Sequence, residues 1–225
     1  MNVASVCGYY SNFAVEATGV ARPRNPPFWE AFMFCWAVKS GEYHREFFID
    51  KADGQLKITK DNFHLVRPTF GEWAARKLPT FAKGPLLLVP VPNKVAPDAT
   101  TYASLEMVRE AFKDTEYSDS ALDALRWNKK LPKAHEGGPR KRADLLPLLD
   151  VRPEAQPALD GKQIVLIDDV VTTGGSLLAC GDKLTEAGAT VLGAITCGRA
   201  VYDLTEPPFG SREFELTTEL SDYRT

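Results

Sequence analysis

The stretch I-V-L-I-D-D-V-V-T-T-G-G-S-L-L, residues 164–178, constrains the fold more than any other part of this chain. Ile164–Ile167 is a continuous apolar run, the pattern of a strand buried on both faces. It runs directly into Asp168 and Asp169. A turn of hydroxyls and glycines follows, Thr172, Thr173, Gly174, Gly175 and Ser176. From Gly175 to Ala187 the spacing is helical, and it stops at Gly188, where glycine commonly closes a helix in the left-handed conformation. Val191–Ile195 reads as another strand. Strand, helix, strand with short connections implies a right-handed crossover and a parallel sheet.

Other segments extend this pattern. Leu86–Val91 lies between Gly84-Pro85 and Pro92 and reads as a buried strand. Tyr102–Phe112 places Leu105, Val108 and Phe112 on one helical stripe. The spacing predicts short helices over Phe70–Leu78 and Ser120–Trp127. Residues 128–142 are polar and basic with Gly137-Gly138-Pro139, the composition of an exposed loop. Trp29–Val38 is apolar on most sides, so periodicity leaves helix and strand open. The fold class is α/β, a parallel sheet flanked by helices. The expected division is an aromatic-rich accessory hood over 1–84, and an α/β core with a C-terminal extension over 85–225.

Composition narrows the function classes. The 225 residues carry a net charge of −3, with 44% hydrophobic and 25% charged residues. This is the balance of a globular protein, and the acidity disfavours a chain-wide nucleic-acid footprint. No apolar run reaches the ~18–20 residues of a membrane span, and no secretory leader pattern opens the sequence. A cytoplasmic location is the expectation. The four cysteines, Cys7, Cys35, Cys180 and Cys197, are scattered without a C-x-x-C pair and read as small buried hydrophobes.

The chemistry concentrates after the strand that begins at Ile164. In open α/β sheets, ligands bind beyond the carboxyl ends of the strands. A helix N-terminus there offers unpaired amides and partial positive charge to a phosphate. Gly174 and Gly175 would let the backbone approach that phosphate, with Thr172, Thr173 and Ser176 adding hydroxyl donors. Asp168 and Asp169 would accept hydrogen bonds from vicinal sugar hydroxyls or help hold a hydrated Mg²⁺. Together these describe a ribose 5-phosphate site.

This stretch resembles the phosphoribosyl-pyrophosphate (PRPP) signature of type I phosphoribosyltransferases. A wider similarity is to the ComF-like branch of that family. It rests on V-P-V-P at Val89–Pro92, R-x-R-x-x-L-L at Arg140–Leu146 and T-x-x-R at Thr196–Arg199. The cysteine zinc module that often opens ComF-like chains has no counterpart here. The resemblance implies Mg²⁺-dependent transfer of a phosphoribosyl group from PRPP to a small nitrogenous acceptor. Asp168 and Asp169 would serve the sugar and, through water, Mg²⁺. By position, Asn93 and Lys94 match the family's pyrophosphate loop. Lys133, Arg140 and Arg142 belong to a basic loop that closes on the leaving group, with Arg140 and Arg142 as the catalytic pair.

The family's hood holds the acceptor, which makes Phe13, Trp29, Phe32 and Trp36 candidates, against the alternative that they only pack. Thr172 stands where enzymes of 6-oxopurine salvage usually carry an aspartate, which disfavours guanine and hypoxanthine. Alternatives left open are a non-catalytic PRPP sensor and a competence-type protein that contacts nucleic acid through residues 129–142. A homodimer is also left open.

Overall fold

The computed structural model describes residues 1–9, 27–93, 102–132, 137–201 and 207–218. At its centre is a five-stranded sheet in the order β4-β7-β8-β1-β9. Its strands are β1 (Asn2–Tyr9), β4 (Leu87–Pro90), β7 (Gln163–Val171), β8 (Thr190–Ala200) and β9 (Phe209–Glu215). The first four are mutually parallel, and β9 closes one edge antiparallel to β1. Among the described residues there are also two antiparallel two-stranded sheets. One is β2 (Phe47–Lys51) with β3 (Gly54–Ile58), the other β5 (Leu125–Trp127) with β6 (Leu149–Val151).

Successive side chains of a strand face opposite ways. On β7, Val165 and Ile167 enter one core and Ile164 and Leu166 the other. This is why the run is apolar throughout. The first core is covered by α1 (Phe28–Ser40), α2 (Val66–Lys77) and α3 (Ala103–Phe112). The second is covered by α5 (Gly175–Glu186), by the one-turn helix α4 (Arg142–Leu145) and by the β5–β6 pair.

The apolar stretch at Trp29–Val38 resolves to the helix α1. Ala31, Phe34, Cys35 and Val38 are buried in it, and Gly41 in the left-handed region ends it, its N–H donating to the Ala37 carbonyl at 2.9 Å. The α2 helix begins four residues before the expected start, because Pro68 in its first turn has no need of an amide partner.

Two regions differ from the sequence expectation. The helix expected over Ser120–Trp127 is absent. Ala121 bridges Leu88 in parallel, and the Leu88 amide donates to the Ser120 carbonyl at 2.8 Å. Leu125–Trp127 then forms β5. The open edge of β4 has backbone groups to satisfy, and that requirement overrides the helical spacing. The segment 1–84 also does not stand apart: β1 lies inside the sheet between β8 and β9, and α1 packs on its face. Small residues such as Ala4, Ser5 and Gly8 hide this strand from a hydropathy reading.

Candidate active site

The site is built where β7 gives way to α5. The strand runs three residues past Asp168, because β8 continues to pair with it, Asp168 opposite Thr196 and Val171 opposite Arg199. Asp168 and Asp169 therefore sit inside the ladder, not beyond its end. The alternation of the strand separates them. Asp168 lies on the α5 face, near Cys180, whose thiol is pushed up by burial and further by the Asp168 carboxylate. Asp169 lies on the α1 face and accepts from Lys39 Nζ at 2.7 Å, with 14% of its side chain exposed.

Asp168 is half-buried, and its Oδ1 accepts the Asp169 amide at 2.8 Å. Burial pushes its carboxyl from the ordinary 3.8 up to about 8, and the neighbouring Asp169 charge adds to this. Lys39 and the Asp169 amide pull back only in part.

Beyond β7, a cavity of about 100 Å³ is lined by Pro139, Arg140, Asp168, Val170, Val171 and the turn Thr172–Ser176 with Leu177. Gly174, with φ at 82°, precedes the first turn of α5. The amides of that turn have no intrahelical acceptors. The two glycines do more than admit a ligand. A Cβ at Gly175 would lie 1.9 Å from the Arg140 carbonyl oxygen. One at Gly174 would lie 2.5 Å from the Leu216 side chain. At both positions the neighbouring protein leaves no room for a side chain.

The structure brings together Asp168, Arg140 and the turn Thr172–Ser176 around one cavity. Other expected residues have different neighbours. Arg142 forms an ion pair with Asp182 on α5, which directs it along the helix flank. Asn93 Oδ1 accepts from the amide of Ser104 at 3.1 Å and so caps the start of α3. Lys94, Lys133, His135 and Phe13 lie outside the described residues. Trp29 packs on Phe32 at 5.4 Å and beneath Arg45, while Trp36 meets His44. None of these three α1 aromatics lines the cavity.

Sequence reasoning missed Lys39. A lysine in the last turn of a helix is ordinary, and its carboxylate partner is 130 residues away. It also missed the polar group Tyr102–Asp123–Arg152, in which Asp123 Oδ1 accepts from the Tyr102 hydroxyl at 2.8 Å and from Arg152 Nε at 3.0 Å.

A parallel strand, a left-handed glycine and a helix start meet around a carboxylate and an arginine, and together they form a cradle at the place where open α/β sheets bind ligands. The family model of the phosphoribosyl transferase domain matches residues 71–201, more than half of the chain and all of this cradle. The protein belongs to that family. Two curated phosphoribosyltransferases are similar over short stretches. The orotate phosphoribosyltransferase of Levilactobacillus brevis is 43% identical over 64 residues, which are 28% of this chain and 30% of the relative. The adenine phosphoribosyltransferase of Mycolicibacterium gilvum is 46% identical over 52 residues, 20% of this chain and 29% of the relative. Each match spans less than a third of the relative, and the two printed names differ in the base. Within the phosphoribosyl transferase domain, β4 to β8 carry the cradle. The strand β1 and the helix α1 lie before the matched region. No helix among the described residues is long and apolar enough to cross a membrane.

Proposed function

We propose that this protein transfers the phosphoribosyl group of PRPP to a nitrogenous base or related small molecule, releasing pyrophosphate in a Mg²⁺-dependent reaction. The observation that carries this reading is the single cavity shared by Asp168, Arg140 and the α5 N-terminal turn. The 5-phosphate would rest on Thr172–Ser176, where free amides and hydroxyls converge and the helix dipole favours an anion.

Asp168 would accept hydrogen bonds from the ribose hydroxyls. Burial and Asp169 hold its carboxyl high, and hydroxyl donors or a cation would return it to the ionised form. That unmet demand fits a hydrated Mg²⁺ held by Asp168, whereas Asp169, on the opposite face and paired with Lys39, would contribute only through its charge. Bound there, the ion would supply charge neutralisation for the departing pyrophosphate.

As the bond from C1 to pyrophosphate lengthens, positive charge develops at C1 and the ring oxygen. A nitrogen lone pair then attacks from the opposite face and inverts the centre. The chain's contribution is positional and electrostatic. The phosphate cradle fixes one end of the ribose and Asp168 orients its hydroxyls. Arg140, held beside the cradle, meets negative charge on the leaving group. Lys94 and Lys133 keep a proposed role on the pyrophosphate side.

The experiment is pyrophosphate release from PRPP and Mg²⁺, measured against adenine, orotate, uracil and other bases in turn. Release with one base, lost in Asp168→Asn, supports the reading. Failure of every base together with failure of PRPP to bind overturns it.

A further inference from the structure

Three of the four cysteines, far apart in the sequence, meet inside the first core. Cys7 comes from β1, Cys197 from the adjacent strand β8 and Cys35 from α1, which packs across both. Their sulfur atoms all lie within 4.8 Å of one another, and Cys7 Sγ is 3.3 Å from Cys35 Sγ. All three are fully buried, at 0–1% exposure. Cys180 is on the opposite side of the sheet, in the second core. Cysteines scattered through the sequence are thus gathered by the fold.

We infer that Cys7, Cys35 and Cys197 form a binding site for one thiophilic divalent ion of the zinc class. Thiolate is a soft ligand, and a set of three selects soft d¹⁰ ions over Mg²⁺ or Ca²⁺. The charge balance selects the divalent ion. Three thiolates carry three negative charges into an apolar core, and a monovalent ion would leave two of them uncompensated. A divalent ion leaves only one.

Without an ion, burial pushes the Cys35 and Cys197 thiols well above their usual range, so these two stay protonated and pack as small apolar groups. Uptake of the ion displaces the thiol protons and forms three metal–sulfur bonds, with no change of oxidation state. The ion would then tie β1, α1 and β8 together directly beneath Asp169, whose charge already acts on Cys197.

The test uses the full chain, reduced and stripped by a chelator, and titrated without oxygen with Cd²⁺, a spectroscopic stand-in for Zn²⁺. The expected result is a thiolate-to-metal charge-transfer band in the ultraviolet that saturates at one ion per chain. It should be unchanged in Cys180→Ser and at least tenfold weaker in affinity in Cys35→Ser. Zn²⁺ should displace the Cd²⁺ and raise the melting temperature of the wild-type chain, a readout that does not depend on a variant folding. No band, or a band of equal affinity in folded Cys35→Ser, overturns the proposal. So does a Cys7–Cys35 disulfide that forms on air exposure in a chain taking up neither ion.

Discussion

Asp168 and Asp169 are neighbours in the chain and occupy opposite faces of β7. On the α5 face, Asp168 borders an open cavity, with its carboxyl pushed upward by burial. On the α1 face, Asp169 is already held by a lysine. The sequence motif presents an undifferentiated acidic pair. The strand turns it into one carboxylate poised for a ligand and one engaged with the protein. The lesson is that a two-residue motif inside a strand serves two environments.

The largest expected effect separates the two directly. Asp168→Asn should lower kcat/KM for PRPP turnover by about 10²–10³-fold, the scale of losing one preorganised polar group at a reacting centre. Asp169→Asn should cost about tenfold, because it acts through Lys39 and the local charge. Equal losses from the two single variants would break the comparison.

Next in size is Gly175→Ala. Its methyl group would meet the Arg140 carbonyl, and overpacking against backbone should destabilise by about 2–3 kcal/mol, a fall of roughly 6–10 °C in Tm for a chain of this size. An unchanged Tm would show that residues 137–141 are not seated against α5.

A pH series sharpens the contrast further. The folded-state value of Asp168 lies near 8, against an ordinary 3.8, so the folded protein holds this proton more tightly than the unfolded chain. Its stabilising contribution is complete below about pH 4 and is lost as pH rises through about 8. Urea midpoints should therefore fall steadily across that window. In Asp168→Asn the slope should flatten. A slope that survives this change and vanishes in Asp169→Asn would reverse the assignment.

The smallest effect divides the two arginines. Arg140→Ala should lower kcat by about tenfold (~1.4 kcal/mol), since Arg140 lines the cavity. Arg142→Ala should leave kcat nearly intact and cost about 0.5 kcal/mol of stability, because its partly exposed ion pair with Asp182 is screened by solvent.

The β7–α5 unit was legible in the sequence because its signals are local. An apolar run, a glycine pair and a closing glycine each act within a few residues of where they are written. Leu86–Val91, Tyr102–Phe112 and Val191–Ile195 were legible for the same reason. Ser120–Trp127 was misread because the open edge of β4 decides its conformation, and that edge is remote in sequence. The ion pair of Lys39 with Asp169 and the meeting of Cys7, Cys35 and Cys197 were invisible. Both exist only once α1 is laid across the sheet. The turn after β7 was placed correctly, but the packing of its glycines against the Arg140 carbonyl and Leu216 was not visible in the sequence.

That last point bears on how such a motif passes through descent. The Arg140 carbonyl excludes even a methyl group at position 175, whether or not a phosphate is ever bound. A lineage that lost the reaction but kept this packing would still be obliged to encode glycine there. Thr172, Thr173, Ser176 and Asp168 carry no equivalent steric obligation and would be free to drift. In a diverging set of sequences, the hydroxyls and the first aspartate would thus record selection for chemistry, while the second glycine would record only the architecture that outlives it.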